Sequence, residues 1–168
     1  ATEIGSMMFD VTMDFGAYRD LMRHRRNLFL CSPITVELGY EYPEFVEESE
    51  ELIKVKEKFD HCANVTKELH LKIKNTLPHL AGYVVMFANK QQMIWQMDPR
   101  QLGYVVELRT SPAGHHSYRT ICQDMYTLAA KKLTILSKYI RVDMSSGEEG
   151  RKKQEEKTVA KLQELGAS

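Results

Sequence analysis

Apolar and polar residues alternate around Phe9, Val11 and Met13 in "MMFDVTMDF", and this period of two predicts a short strand. The following "GAYRDLMRHRRNLF" is built from helix formers with an apolar stripe of Leu21, Leu28 and Phe29, so a helix is expected to carry the basic residues. "CSPITVELGYEYPEF" is punctuated by Pro33, Gly39 and Pro43 and reads as an ordered loop. From Pro43 onward, Phe45, Leu52, Val55, Phe59, Cys62, Val65, Leu69 and Ile73 recur at helical spacing, with acidic residues early, where the helix dipole favours them. This predicts a long amphipathic helix with one possible break near Asn64, closed by Pro78. "LAGYVVMFANKQQMIWQMD" has two β-rich runs about Asn89-Lys90 and predicts a hairpin. Asp98 suits an N-cap and Pro99 the first helical position of a helix that stops at Ser111-Pro112. A second helix is expected over 115–140, with Tyr118, Ile121, Met125, Leu128, Leu133 and Leu136 on one side. The long helix and the hairpin are expected to form the core.

Length and composition narrow the classes. A chain of 168 residues with 43% hydrophobic and 27% charged residues suits one domain, placed at 7–144 and followed by a charged tail over 145–168. No apolar run approaches the roughly 18 residues of a membrane span, and the first residues lack a signal-peptide pattern, so a cytoplasmic protein without a membrane partner is expected. Cys31, Cys62 and Cys122 are an odd set without paired close spacing, which favours reduced thiols over a disulfide framework or a structural zinc site. Twenty-three Lys plus Arg balance 23 Asp plus Glu, leaving no global field for nucleic acid; an anion site has to come from local clustering.

"YRDLMRHRRN" is such a cluster. On a regular helix Arg19 and Arg23 share a face while Arg23 and Arg25 diverge, so Arg23, His24 and Arg25 would approach a flavin or nucleotide from two sides. For Arg26 alone a solvated surface charge is the better reading. Arg100 follows the Asp98-Pro99 helix start, where unpaired backbone N–H groups favour an anion; with Arg109 and Arg119 it brackets "SPAGHH", suggesting a second anion pocket. Taken singly, Arg109 also fits a helix C-terminal charge and Arg119 a surface residue. His115 and His116 lack a third ligand at metal spacing, and His61, His70 and His79 read as helix-surface residues. No Ser/His/Asp set, phosphate-cradling glycine loop or HExxH pair is present, so no catalytic residue and no metal ligand is assigned.

Two segments together resemble a known family. "GAYRDLMRHRR" is similar to the segment bearing the Arg-His-Arg signature of flavin-dependent thymidylate synthases, and "DPRQLGYVVELRTSPAGHHSYRTICQDM" to that family's second signature region. Arg100, Arg109 and Arg119 reproduce the order of an Arg opening a helix, a Leu-Arg pair closing it, and an Arg in the next helix. The resemblance implies an α+β fold, with helices packed on a small, mostly antiparallel sheet. It implies FAD bound across subunits of a tetramer, or of a dimer of tandem domains, and methylation of dUMP with reduced flavin as hydride source. Methylenetetrahydrofolate and reduced nicotinamide would be co-substrates. By the same resemblance Arg23, His24 and Arg25 would face the flavin, and Arg100, Arg109 and Arg119 the nucleotide. The chain departs from the pattern at Pro33, where the family has a Ser, at Cys31 and Thr35, where it has a Glu and an Arg, and at Asp20, where it has a Gln.

Three readings compete: an FAD-dependent thymidylate synthase or half of one; a non-catalytic relative that binds nucleotide or flavin, or holds an oligomer together; and a nucleic-acid-binding module. The departures favour the second over the first, and the neutral net charge makes the third the weakest.

Overall fold

The computed structural model describes residues 4–42, 53–146, 155–161 and 163. The chain divides into two compact units: Asp10–Arg23 with Phe29–Trp95, and Ala1–Phe9 with His24–Leu28 and Gln96–Ser168. Strands β1 (Met7–Asp14), β2 (Leu28–Cys31) and β3 (Lys90–Met97) form a three-stranded antiparallel sheet in the order β1-β3-β2, giving the expected α+β class. Period two is plain in β3, where Gln91, Met93, Trp95 and Met97 are buried and the residues between them are not.

In the first unit, Asp14 caps helix α1 (Phe15–Leu21) by accepting from the Ala17 N–H at 2.9 Å. The helix ends at Met22, so Arg23, His24 and Arg25 follow it in a turn rather than riding on it. The expected face shared by Arg19 and Arg23 does not form, because the strand beginning at Leu28 draws the chain out of the helix. Arg19 lies 4.9 Å from the centroid of the Phe87 ring, and Phe29 stacks on the fully buried Trp95.

Helix α2 (Ile53–Thr76) runs unbroken through Asn64; residues 43–52, where its start was expected, lie outside the described residues. Of its side chains only those of Ala63 and His70 are buried, while Val55, Cys62, Val65 and Leu69 of the expected apolar row are exposed. His70 is therefore no surface residue: its Nδ1 lies 2.9 Å from the Ala81 carbonyl. The expected hairpin is also replaced. Pro78–Val84 forms a 3₁₀ helix, to which the proline at its start is well suited, and β3 pairs instead with β1 and β2.

Of the loop expected over 31–45, Cys31 ends β2, residues 32–42 form a hydrogen-bonded loop, and residues 43–45 lie outside the described residues. The Gln91 side chain accepts from Thr35 N–H and donates to Thr35 C=O, the Ser32 hydroxyl donates to the Gln92 carbonyl at 2.9 Å, and Gly39 adopts the left-handed conformation at φ 79°. Tyr40 and Tyr42 both donate to Asp60 of α2, which holds that carboxyl below its ordinary range.

The second unit contains α3 (Pro99–Arg109), α4 (His116–Ala130) and a 3₁₀ turn at Leu136–Tyr139. Helix α3 starts as expected, with the Asp98 carboxylate accepting from Gln101 N–H at 2.7 Å. Helix α4 stops ten residues short of the expected 140, where the Ala129 carbonyl accepts from both Lys132 and Leu133 N–H. Its buried row is Arg119, Cys122, Met125 and Ala129, a rotation from the expected stripe that leaves Leu128 exposed. Among the described residues, no helix is long and apolar enough to cross a membrane.

Candidate functional site

Helices α3 and α4 pack together with their apolar sides inward, burying Leu102, Val105, Val106, Cys122 and Met125. Burial pushes the Cys122 thiol up to about 12, so it is an inert core group. This packing fixes the backbone from which three arginines extend in different settings.

Arg100 sits exposed in the first turn of α3, as the sequence predicted. Arg109, in the last turn, donates from Nε to Nε2 of His24 at 2.8 Å, and its guanidinium lies 5.3 Å from the centroid of the Tyr118 ring. His24 is buried and meets the Tyr104 ring edge-on at 5.9 Å between centroids. Burial first, and the Arg109 charge second, lower its imidazole to about 4. At neutral pH His24 is thus an uncharged acceptor for an arginine, a role the sequence did not suggest. Its neighbours differ: Arg25 is exposed, and Arg23 is exposed and lies 3.8 Å from the Asp20 carboxylate.

Arg119 departs most from expectation. Read singly as a surface residue, it is 1% exposed. Its Nε donates to the Thr110 carbonyl at 3.1 Å, and its Nη2 lies 3.5 Å from the Asp143 carboxylate, 3.2 Å from Ser145 C=O and 3.4 Å from Ser145 Oγ. Nη1 has no hydrogen-bond partner among the described residues, although it is buried. The turn before α4 closes tightly over this side chain: a Cβ on Gly114 would stand 3.0 Å from Arg119 Cγ and 3.0 Å from the Ser111 carbonyl oxygen.

The structure therefore brings His24 to Arg109 and surrounds Arg119 with Thr110, Asp143 and Ser145. Tyr104, Tyr118, Thr110 and Asp143 were missed in the sequence, and Ser145 fell in the segment assigned to the tail. Thr110 follows directly on the Leu-Arg pair that closes α3, which was the one available signal. Among the described residues, no group of three His, Cys, Asp or Glu side chains is placed to hold a metal ion.

Comparison with known proteins bears on the family and the fold. The chain is 32% identical over 159 residues to a UPF0159 protein of Chlamydia muridarum, covering 94% of this chain and 29% of that protein. It is 29% identical over 125 residues to the UPF0159 protein Ta1429 of Thermoplasma acidophilum, covering 74% of this chain and 24% of that one. The chain thus spans less than a third of the length of these curated relatives. In fold it is similar to the UMP/dUMP methylase PolB from Streptomyces cacaoi bound with 5-Br dUMP, with a TM-score of 0.70 at 18% identity over 82% of this chain and 72% of that one. The same methylase bound with 5-Br UMP gives 0.63 at 17% identity, over 77% and 70%. The family model of the thymidylate synthase complementing protein matches residues 1–133, and the chain belongs to that family.

Proposed function

We propose that this chain is a nucleotide-binding domain of a flavin-dependent dUMP methylase. The observation carrying the reading is the Arg119 guanidinium, built into the α3–α4 pair with its Nη1 buried and without a hydrogen-bond partner among the described residues. A buried donor without an acceptor is costly, and a bound ligand would supply the missing acceptor. The solved methylase neighbours, which bind brominated UMP and dUMP, support a uridine nucleotide as that ligand.

The substrate roles go to Arg100, Arg109 and Arg119. Arg100, exposed at the start of α3, would take the phosphate, with the helix dipole adding to its charge. Arg109 is oriented by neutral His24 on one side and by Tyr118 on the other. The cofactor roles go to the Arg-His-Arg turn. Exposed Arg23 and Arg25 fit the anionic part of FAD, whereas His24, its Nε2 engaged by Arg109, acts through that arginine. Reduced flavin would supply the hydride, with methylenetetrahydrofolate as carbon donor and reduced nicotinamide as electron source. The chain's own residues bind and orient. A cytoplasmic homo-oligomer, a tetramer or a dimer of tandem domains, is the proposed assembly.

A specific observation favours the runner-up, a non-catalytic nucleotide-binding relative. In the loop where the family carries Ser, Glu and Arg, Ser32 is spent on the Gln92 carbonyl and the Thr35 backbone on Gln91. The two readings separate in one experiment. The protein is incubated with FAD, desalted, and its visible spectrum recorded, after which dUMP methylation is assayed. A retained flavin band with turnover supports the enzyme, dUMP binding without turnover supports the relative, and neither binding nor turnover removes both.

A further inference from the structure

Asp143 does more than neighbour the buried arginine. A guanidinium has five N–H donors. In Arg119 the Nε donor goes to Thr110 C=O and the Nη2 side to Asp143 and Ser145, so the side-on fork that grips phosphate in two bonds is already occupied. Asp143 is itself held, through its backbone as well as its carboxylate. Asp143 Oδ1 accepts from Ser145 N–H at 2.8 Å, Asp143 N–H donates to Thr110 Oγ1 at 3.1 Å, and Gln123 Nε2 donates to Asp143 C=O at 2.8 Å. Only Nη1 is left, shielded from water, on a guanidinium whose charge is already compensated.

We propose that Asp143 is a specificity-determining residue: by taking one edge of Arg119 and balancing its charge, it reserves Nη1 for the neutral carbonyl oxygen of a heterocyclic ring and excludes phosphate from that end. A phosphate dianion at Nη1 would be stripped of water and would meet a guanidinium whose charge is already offset from its Nη2 side by Asp143, whereas a ring carbonyl brings no net charge and sheds water at less cost. Uracil and the flavin ring both carry such carbonyls. The inference rests on the nucleotide reading above and deepens it by assigning the two ends of the ligand to different arginines, ring to Arg119 and phosphate elsewhere.

The test uses the whole chain and its Asp143→Asn variant, which keeps the shape and the Oδ1 acceptor and removes the charge. Calorimetric titration with deoxyuridine, riboflavin, dUMP and inorganic phosphate gives the affinities. The ratio of phosphate to neutral-ligand affinity is expected to rise about tenfold in Asp143→Asn, and the gain to vanish in Asp143→Asn/Arg119→Gln. Which neutral probe binds identifies the ring. An unchanged phosphate affinity in Asp143→Asn overturns the inference whatever the nucleotides do. If neither protein binds deoxyuridine, riboflavin or dUMP while Asp143→Asn gains phosphate, the nucleotide reading and the carbonyl assignment fall and the exclusion of anions by Asp143 stands.

Discussion

Helix α2 and the α3–α4 pair are both amphipathic by sequence, yet they use their apolar residues in opposite ways. The pair buries Leu102, Val105, Val106 and Met125 and sets an arginine among them. The much longer α2 buries only Ala63 and His70 and leaves Val55, Val65 and Leu69 exposed. Helical period predicts that a face is apolar; it does not say that the same chain covers that face. The pair is therefore the part whose stability and chemistry are coupled, and α2 the part where substitution is expected to be quiet.

The contrast breaks first at Leu102, which is fully buried: Leu102→Ala is expected to cost about 2–5 kcal/mol in denaturant unfolding. A loss below about 1 kcal/mol would deny α3 its place in the core. Next comes pH. His24 stays neutral in the fold down to about 4, against an ordinary 6.5. Below 6.5 the unfolded chain takes up this proton before the folded one, so stability should fall as pH drops from 6.5 toward 4 and level off beneath it. His24→Gln, which keeps an acceptor for Arg109, should flatten that slope; an identical profile in both proteins would remove His24 as its source. Asp98→Ala removes the α3 cap and should cost about 1 kcal/mol, seen as a modest drop in Tm. The smallest effect sharpens the comparison from the other side: Leu69→Gln on α2 should stay within about 0.5 kcal/mol of the parent. A large loss there would mean that this face is covered in solution.

The local rules read well from sequence. Asp98 and Pro99 mark the start of α3, and the alternation around Val11 and Met13 marks β1, because caps and pleats are decided by a few adjacent residues. Competition was not legible. Leu28–Cys31 is drawn into the sheet and ends the helix before the Arg-His-Arg turn, and the first half of the expected hairpin gives way to a 3₁₀ helix. The arginines were found as residue types at family spacing. What distinguishes them, a neutral imidazole accepting from Arg109 and a carboxylate on Arg119, comes from residues 85 and 24 positions away, and no local pattern announces such partners.

Thr110 carries one further consequence. Its hydroxyl donates to the Val106 carbonyl and accepts from Asp143 N–H, while its own carbonyl receives Arg119. Valine has nearly the same outline and would pass any test of shape, yet it would strip the donor and the acceptor in one exchange. For this site the neighbour nearest in form is among the most distant in chemistry, and a descendant chain could redraw the surrounding walls more freely than it could give up that single oxygen.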